Sequence, residues 1–281
     1  MLTFKFMQVA FVAAILLGVS IPLIGSSAVF KRLSSSGDAL AHSSLAGVAI
    51  GLASGLNPLA WSIIACVVSF LVIELLRKKF NKFSEIGVAV VLSGAIGIAG
   101  ILSSYTTASN FDSYLFGSIL LISDLELYIT IALTAVIVLF SFLFYPQIFA
   151  SLYSESESKV AGIKVNLLTL FQDLLLSITI AVGAKIVGSL VVSSLVVLPT
   201  AIALQLKKGY KFTLFASLGF SLLSMVLGLI IAYYANLKPG ATIVTVAVSL
   251  LLLVIIGKFA LSLIVERRAS RTARNNSSES R

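Results

Sequence analysis

The sequence is poor in the residues that build catalytic and metal-rich sites. Its 281 residues include one histidine and one cysteine, and only 11% of them are charged. The lone Cys66 excludes an intrachain disulfide, and the lone His42 excludes a multi-histidine zinc site within one chain. The motifs G-x-x-x-x-G-K-S/T, H-E-x-x-H and G-x-S-x-G are absent. We therefore expect no ATP binding through a P-loop and no catalysis by this chain alone.

Long apolar runs dominate the chain. Hydrophobic residues make up 59% of it, and its mean hydropathy is +1.10. A helix of roughly 20 apolar residues crosses the ~30 Å hydrocarbon core of a bilayer. Strands of ~10 alternating residues are absent, so we predict an all-α, polytopic transmembrane bundle. Only Lys185 separates two of the candidate spans, which gives eight or nine: 7–29, 38–56, 58–76, 85–105, 124–147, 166–184, 186–206, 212–236 and 241–264.

Basic residues cluster on alternate connections between the spans. The net charge is +9, but the lysines and arginines lie in short connections and in the C-terminal tail, whereas the other connections carry few of them. This asymmetry predicts that the basic connections and the C-terminus are cytoplasmic, and it argues against a nucleic-acid partner. The basic segments are Lys31–Arg32, Arg77–Lys82, Lys159–Lys164, Lys207–Lys211 and Arg267–Arg281.

Asp38 and His42 are two ionisable residues at the start of a candidate span. Such residues are costly inside a bilayer and usually face a pathway or a partner. At about 1.5 Å rise per residue they lie ~6 Å apart along one helix face, and carboxylate oxygen with imidazole nitrogen suits zinc and also manganese. Alternatively, both lie near a membrane surface, with Asp38 capping a helix and His42 solvated. The residues alone leave the two interpretations open.

Two prolines and one lysine lie at unusual places in the predicted spans. Pro22 and Pro199 are expected to kink their helices, because proline lacks the N–H that would bond to the carbonyl one turn earlier. The freed carbonyls are tolerated where they line a cavity. Lys185 is expected to snorkel to the membrane interface.

The connection 151–164 and the C-terminal tail differ from the other connections. Residues 151–164 mix charged side chains with Val160, Ala161 and Ile163. A short amphipathic segment there could dock on a cytoplasmic partner, although the residues alone favour a solvated loop. The tail is charged and of low complexity, so we predict a transmembrane domain over 1–265 and a disordered basic cytoplasmic tail over 266–281.

Short motifs occur along the chain in a definite order. They are Gly37-Asp38-Ala39-Leu40-Ala41-His42, Asn57-Pro58, Tyr114-Leu115-Phe116-Gly117, Ala161-Gly162-Ile163-Lys164, Lys185-Ile186-Val187-Gly188-Ser189-Leu190, Leu198-Pro199-Thr200-Ala201 and Pro239-Gly240. Each is weak alone, but their order and spacing over nearly the whole chain are specific. In both respects the chain resembles the membrane permeases of bacterial ABC importers for zinc and manganese.

The resemblance implies the all-helical fold of the cobalamin and iron-siderophore permeases. It implies a homodimer in the bacterial cytoplasmic membrane, with two cytoplasmic ATPases and an extracytoplasmic metal-binding protein. ATP is then hydrolysed by the partner, and this chain is not an enzyme. The motif of Asp38 and His42 belongs to the metal pathway, and residues 151–164 form the segment that contacts the ATPase. Implied pathway-lining or hinge residues are Gly37, Ser193, Ser194 and Pro199, and implied coupling residues are Val160, Ala161, Gly162 and Ile163.

The resemblance predicts import of a divalent metal ion, zinc before manganese or iron. Family members that carry manganese often have proline where this chain has Ala46, and the residues after His42 are closer to those of zinc members. The metal is cargo, and no permanently bound cofactor is expected. Two alternatives are less favoured: a passive channel or carrier that needs no ATPase, and an intramembrane enzyme that uses Asp38 and His42 as acid and base.

Overall fold

The fold is built from helices. The computed structural model describes residues 5–31, 33–80, 84–105, 114–115, 117 and 122–279, with side chains as far as Ala260 apart from Ser84. Arg32, Lys82 and Phe116 lie outside these ranges. No strand occurs in the described ranges, so the all-α prediction is confirmed. The helices are α1 (Lys5–Phe30), α2 (Ser34–Ser54), α3 (Pro58–Lys79), α4 (Ser84–Ser103), α5 (Asp124–Leu143), α6 (Tyr145–Tyr153), α7 (Glu155–Val160), α8 (Val165–Val187), α9 (Ser189–Gln205), α10 (Tyr210–Ala235) and α11 (Pro239–Glu279).

Seven of the described helices are long and apolar enough to cross a membrane: α1, α3, α4, α5, α8, α10 and α11 as far as Ala260. The predicted count of eight or nine spans is therefore too high by this criterion. The predicted span 38–56 corresponds to α2, whose serines and glycines lower its hydropathy. The predicted span 186–206 corresponds to α9, which has only 17 residues. Other helices enclose most of α2 and α9, so neither needs a surface as apolar as one that faces lipid.

The core lies where α1, α2, α8 and α9 pack together. The most apolar stretches of α1 and α8 are each 61% buried, whereas those of α4 and α11 are 22% buried. Leu17, Ile180 and Leu195 are among the largest fully buried side chains of this inner layer. The outer helices instead expose many large hydrophobic side chains, and lipid tails, which are as apolar as leucine, can cover such a surface.

One end of the bundle carries the basic connections, and we name it the basic end. There Lys31 Nζ donates a hydrogen bond to Thr169 Oγ1 at 2.8 Å, which joins the end of α1 to the start of α8. The rings of Phe30 and Tyr210, with centroids 5.2 Å apart, join the end of α1 to the start of α10. Helices α8 and α10 therefore begin at the end of the bundle where α1 finishes.

The connection between α5 and α8 and the end of α11 were both predicted as separate segments. Residues 151–164 comprise the end of α6, all of α7 and a turn at Gly162, where φ is +84°. The backbone of α11 is helical as far as Glu279, whereas the composition predicted disorder over 266–281. The domain boundary at 265 stays a prediction, and residues 280–281 lie outside the described range.

Candidate metal pathway

Asp38 and His42 lie on the more exposed face of α2. The helix begins at Ser34, and its N-cap residue Leu33 makes no side-chain capping bond. Asp38 thus lies inside the helix rather than at its cap, which argues against the capping alternative. Asp38 is exposed and His42 is half-buried, whereas Leu40 between them is buried. The carboxylate and the imidazole therefore project from one face of α2, opposite the face that packs in the core.

Contacts with α3 fix the rotation of α2. Cys66 Sγ donates to the carbonyl oxygen of Leu40 at 3.2 Å, in the interior of the bundle. A Cβ atom added to Gly47 would lie 2.4 Å from the carbonyl oxygen of Trp61, so the two backbones approach as closely as a small residue allows. Both contacts hold the buried face of α2 against α3. They therefore leave Asp38 and His42 on the more exposed face of α2.

Helix α9 lies beside the start of α2. A Cβ atom added to Gly37 would lie 3.5 Å from Val196 Cγ1. Ser193 and Ser194 of the same helix are half-buried, and their hydroxyls donate to the carbonyl oxygen of Leu190 at 3.2 and 3.0 Å. The structure therefore brings the helix with the two predicted pathway serines against the residue that precedes Asp38.

The backbone breaks directly before α9, and a proline lies inside this helix. Gly188, with φ of +104°, separates α8 from α9 without any longer loop. Pro199 is buried inside α9, where it leaves the carbonyl of Leu195 without its helical donor. The buried hydroxyls of Ser189 and Thr200 have no hydrogen-bond partner among the described residues. Unpaired polar groups in a membrane are tolerated where they line a cavity. The hinge role of Pro199 stays a prediction.

One chain does not complete a metal site. In the ranges that the structure describes, no group of three or more His, Cys, Asp and Glu side chains could hold a metal ion. Asp38 and His42 supply two ligands, whereas a structural zinc site almost always has four. The remaining ligands must come from water, the backbone or another protein chain. An incomplete site is compatible with transport, because a transported ion must also leave.

The predicted coupling residues lie together at the basic end. Helix α7 ends at Val160, whose side chain is 90% exposed. The next three residues are exposed or half-buried, and Gly162 turns the chain toward α8. Residues 161–164 also line an apolar groove of about 570 Å³ together with Phe140 and Phe171. The segment thus presents apolar side chains at the surface, as a docking segment does.

Lys185 differs from its prediction. Its ammonium group does not snorkel alone but donates to Oε1 of Glu126, in the first turn of α5. Glu126 is only 5% exposed, and its Oε2 accepts a hydrogen bond from the backbone N–H of Ser123 at 3.0 Å. Sequence reasoning missed this pair because its members are 59 positions apart. The only local signal is the spacing of Ser123 and Glu126, which is that of a capping box.

Three described residues after α4, namely Tyr114, Leu115 and Gly117, lie at the end opposite the basic end. A Cβ atom added to Gly117 would lie 2.1 Å from the carbonyl carbon of Val187, directly before the break between α8 and α9. Gly117 also has φ of +79°, a conformation that favours glycine. Tyr114 and Leu115 pack against the buried cluster that contains Ala46 of α2. Tyr114 and Leu115 therefore lie against α2, and Gly117 lies against the helix break.

Together, the seven long apolar helices and the apolar outer surface of the bundle define a polytopic membrane protein, with a carboxylate and an imidazole on one face of α2. The chain belongs to the ABC 3 transport family, whose model matches residues 3–258. This membership confirms the resemblance to the zinc and manganese permeases.

Individual relatives cover almost the whole chain. The chain is 40% identical over 256 residues to a probable metal transport system membrane protein of Treponema pallidum, covering 91% of this chain and 96% of that protein. It is 30% identical to the high-affinity zinc uptake system membrane protein ZnuB of Buchnera aphidicola, covering 86% and 93%. It is 26% identical to the manganese transport system membrane protein MntC of Listeria monocytogenes, covering 88% and 89%. The solved structure of PsaBC from Streptococcus pneumoniae in complex with Fab matches with a TM-score of 0.79 and 27% identity, covering 89% and 91%.

Proposed function

We propose that this chain is the membrane-spanning permease subunit of an ATP-driven importer for a divalent metal ion, with zinc as the preferred cargo. The observation that carries the proposal is the position of Asp38 and His42. A carboxylate and an imidazole project from the same face of a helix whose other residues are mostly buried. Such groups are costly inside a membrane bundle unless they serve a pathway or a partner.

The partners follow from the two ends of the bundle. The positive-inside rule places the basic end and the C-terminus in the cytoplasm of a bacterium. The ATPase subunits then bind the surface formed by Val160 and residues 161–163. The extracytoplasmic metal-binding protein delivers its cargo at the opposite end, near the connection that contains Gly117. ATP is hydrolysed by the partner and not by this chain.

A second copy of the chain would complete the metal site. Asp38 is exposed in the single chain, so a like copy can approach it. Two copies would supply two carboxylates and two imidazoles, which is the ligand number of a tetrahedral zinc site. Separation of the copies would break the site and release the ion. The metal is thus bound only in transit, and no permanent cofactor is required.

Ala46 supports zinc as the preferred metal. In a regular helix its N–H bonds to the carbonyl oxygen of His42, four residues earlier. A proline at this position would remove that bond and would free an oxygen ligand beside the imidazole. Carbonyl oxygen suits manganese, whereas imidazole suits zinc. The regular helix at Ala46 therefore favours the ligand set that prefers zinc, while relatives are named for either metal.

The decisive experiment is metal uptake with and without a working ATPase. Cells or proteoliposomes that contain the complete transporter should accumulate zinc, and competing manganese should inhibit weakly. Inactivation of the ATPase partner should abolish uptake. Continued uptake without ATP hydrolysis would instead indicate a passive channel or carrier.

A further inference from the structure

A chamber of about 960 Å³ opens at the basic end of the bundle. It lies between the ends of α1 and α3, helix α7 and the first turn of α8, apart from the exposed strip of Asp38 and His42. Four cationic and two acidic side chains line it, namely Lys31, Arg77, Lys78, Lys159, Glu74 and Glu155.

Both carboxylates of the chamber are already paired. Glu74 lies 3.6 Å from Arg77 Nη1 and 3.6 Å from Lys78 Nζ. Lys159 donates to Glu155 Oε1 at 2.6 Å, and this bond holds the pKa of Glu155 below its ordinary value. Since four cations face two carboxylates, the chamber keeps an excess of positive charge that an anion could neutralise.

Lys31 is the least neutralised of these cations. Its ammonium group donates to Thr169 Oγ1 at 2.8 Å and to Gln172 Oε1 at 3.5 Å, both neutral acceptors. No ion pair of the described residues includes it. Burial lowers the pKa of Lys31, and the more distant charges of Asp173 and Glu155 oppose that effect only in part. An anion in the chamber would give this half-buried ammonium the charged partner that it lacks.

One wall of the chamber is apolar and faces outward. Leu167 and Leu170 of α8 line the chamber, and their side chains are 61% and 40% exposed. A free inorganic anion would make no use of this apolar surface. A ligand with a charged head and hydrocarbon chains would contact both parts. Basic pockets between membrane helices are known to hold the headgroups of anionic lipids.

We infer that the chamber binds the phosphodiester headgroup of an anionic phospholipid, with the acyl chains along Leu167 and Leu170. The headgroup phosphate takes the position between Lys31, Arg77 and Lys159. Lys159 lies in α7, directly before the coupling residue Val160. The lipid would therefore hold α7 against the ends of α1 and α3. The lipid is therefore a structural ligand of the surface that receives the ATPase.

Lipid retention by the purified full-length permease tests this inference. The protein is equilibrated with micelles that contain equal amounts of phosphatidylglycerol and phosphatidylcholine, and the bound lipids are counted by native mass spectrometry. Phosphatidylglycerol should be retained preferentially. Lys31→Gln should lower the ratio of the two bound lipids about fivefold, since one lysine near an anionic headgroup contributes about 1 kcal/mol.

Two further variants make the result specific. Lys79→Gln removes the same charge from an exposed position in the last turn of α3, outside the chamber, and should leave the ratio unchanged. Lys159→Gln removes a cation from the opposite wall and should lower the ratio, also if Lys31→Gln does not fold. Equal retention of both lipids by the unchanged chain would overturn the inference, as would an unchanged ratio in the Lys31 and Lys159 variants.

Lipid displacement and the Tm of the permease distinguish two other possible occupants of the chamber, a free anion and the ATPase. Inorganic phosphate at millimolar concentration should neither displace the lipid nor raise the Tm of the permease. A rise in Tm equal to the rise caused by phosphatidylglycerol would mean that the chamber binds a free anion. Addition of the ATPase partner should leave the lipid bound. Release of the lipid would mean that an acidic surface of the ATPase fills the chamber.

Discussion

The side chains of Lys185 and Glu126 form an ion pair between the last turn of α8 and the first turn of α5. Each charge also suits its own helix, since an anion is favourable at a helix N-terminus and a cation at a C-terminus. The pair lies three residues before Gly188, where α8 gives way to α9. It therefore joins the end of α8 to the start of α5 directly before the helix break, while α9 carries the predicted pathway serines.

Removal of either partner of this pair should destabilise the fold. Glu126→Gln and Lys185→Gln should each lower the free energy of unfolding by about 2 kcal/mol, less than a fully buried pair would lose because a quarter of the Lys185 side chain is exposed. The double variant should lose clearly less than the sum of the two single losses. Folded protein that remains after heating, measured by size-exclusion chromatography, checks both statements. Strict additivity would show that the two side chains act independently.

The metal pathway makes a prediction about Asp38 and His42. Asp38→Asn keeps the shape but removes the charge, and His42→Phe keeps the ring but removes the nitrogen ligand. Each should lower zinc uptake by about 10–100-fold, the range seen even when a ligand loses only its supporting partner. Asp38→Glu should keep part of the activity, because it retains the carboxylate. Growth on chelated medium and direct zinc uptake measure the effect, with membrane abundance as the control. Parental uptake by both Asp38→Asn and His42→Phe would exclude the pair from the pathway.

The metal preference makes a prediction about Ala46. Ala46→Pro should shift the ratio of zinc to manganese uptake toward manganese, because it frees the carbonyl oxygen of His42. Competition between the two metals in the same uptake assay measures this ratio. Ala46→Gly is the matched control, since it weakens the helix by about 1 kcal/mol but keeps the N–H. A shift of equal size in both variants would point to loosening of α2 rather than to the carbonyl.

The coupling segment makes a prediction about ATPase binding. Replacement of Val160, Ala161 and Ile163 together by aspartate should leave the permease in the membrane but prevent it from retaining the ATPase on purification. Charges introduced into a desolvated contact lack partners. A matched change of Ser156 to aspartate, at an exposed position in α7, should keep the ATPase bound. Normal retention by the triple variant would contradict the assignment.

Close helix packing makes a prediction about two glycines. Gly47→Ala should destabilise the protein by about 1–3 kcal/mol, because its Cβ would lie 2.4 Å from the Trp61 carbonyl oxygen. Gly94→Ala in α4 has no neighbouring atom within 4 Å and should be neutral or slightly stabilising. Both changes raise helix propensity equally, so the difference in Tm isolates the contact between α2 and α3. Equal Tm values for the two variants would mean that α2 can move away from α3 without loss of stability.

Helix positions could be predicted where the sequence carries strong local signals. Asn57 caps α3 through hydrogen bonds to its first amides, and Pro58 follows at the first helical position, so the predicted start of this span at 58 is correct. Ser123 and Glu126 form the capping box of α5, and the predicted start at 124 is also correct. The predicted spans 38–56 and 186–206 are not among the seven long apolar helices, because α2 is rich in serine and glycine and α9 has only 17 residues.

The candidate site could be predicted only in part. Asp38 and His42 are visible in the sequence because they share a helix and a spacing. The partner of Lys185 and the approach of Gly37 to Val196 depend on contacts between distant segments, which periodicity does not encode. The chamber around Lys31 has the same origin, since its walls come from segments that are far apart in the chain. Long-range packing therefore set the features that the sequence did not reveal.

The only cysteine is also a built-in reporter of unfolding. Cys66 is fully buried, with its sulfur against the Leu40 carbonyl between α2 and α3. A thiol-reactive fluorophore should therefore stay dark with the native protein and become bright as these two helices part. No labelling site needs to be engineered to follow this event. Cysteines introduced along the strip of Asp38 and His42 could likewise be modified selectively in the otherwise unchanged chain.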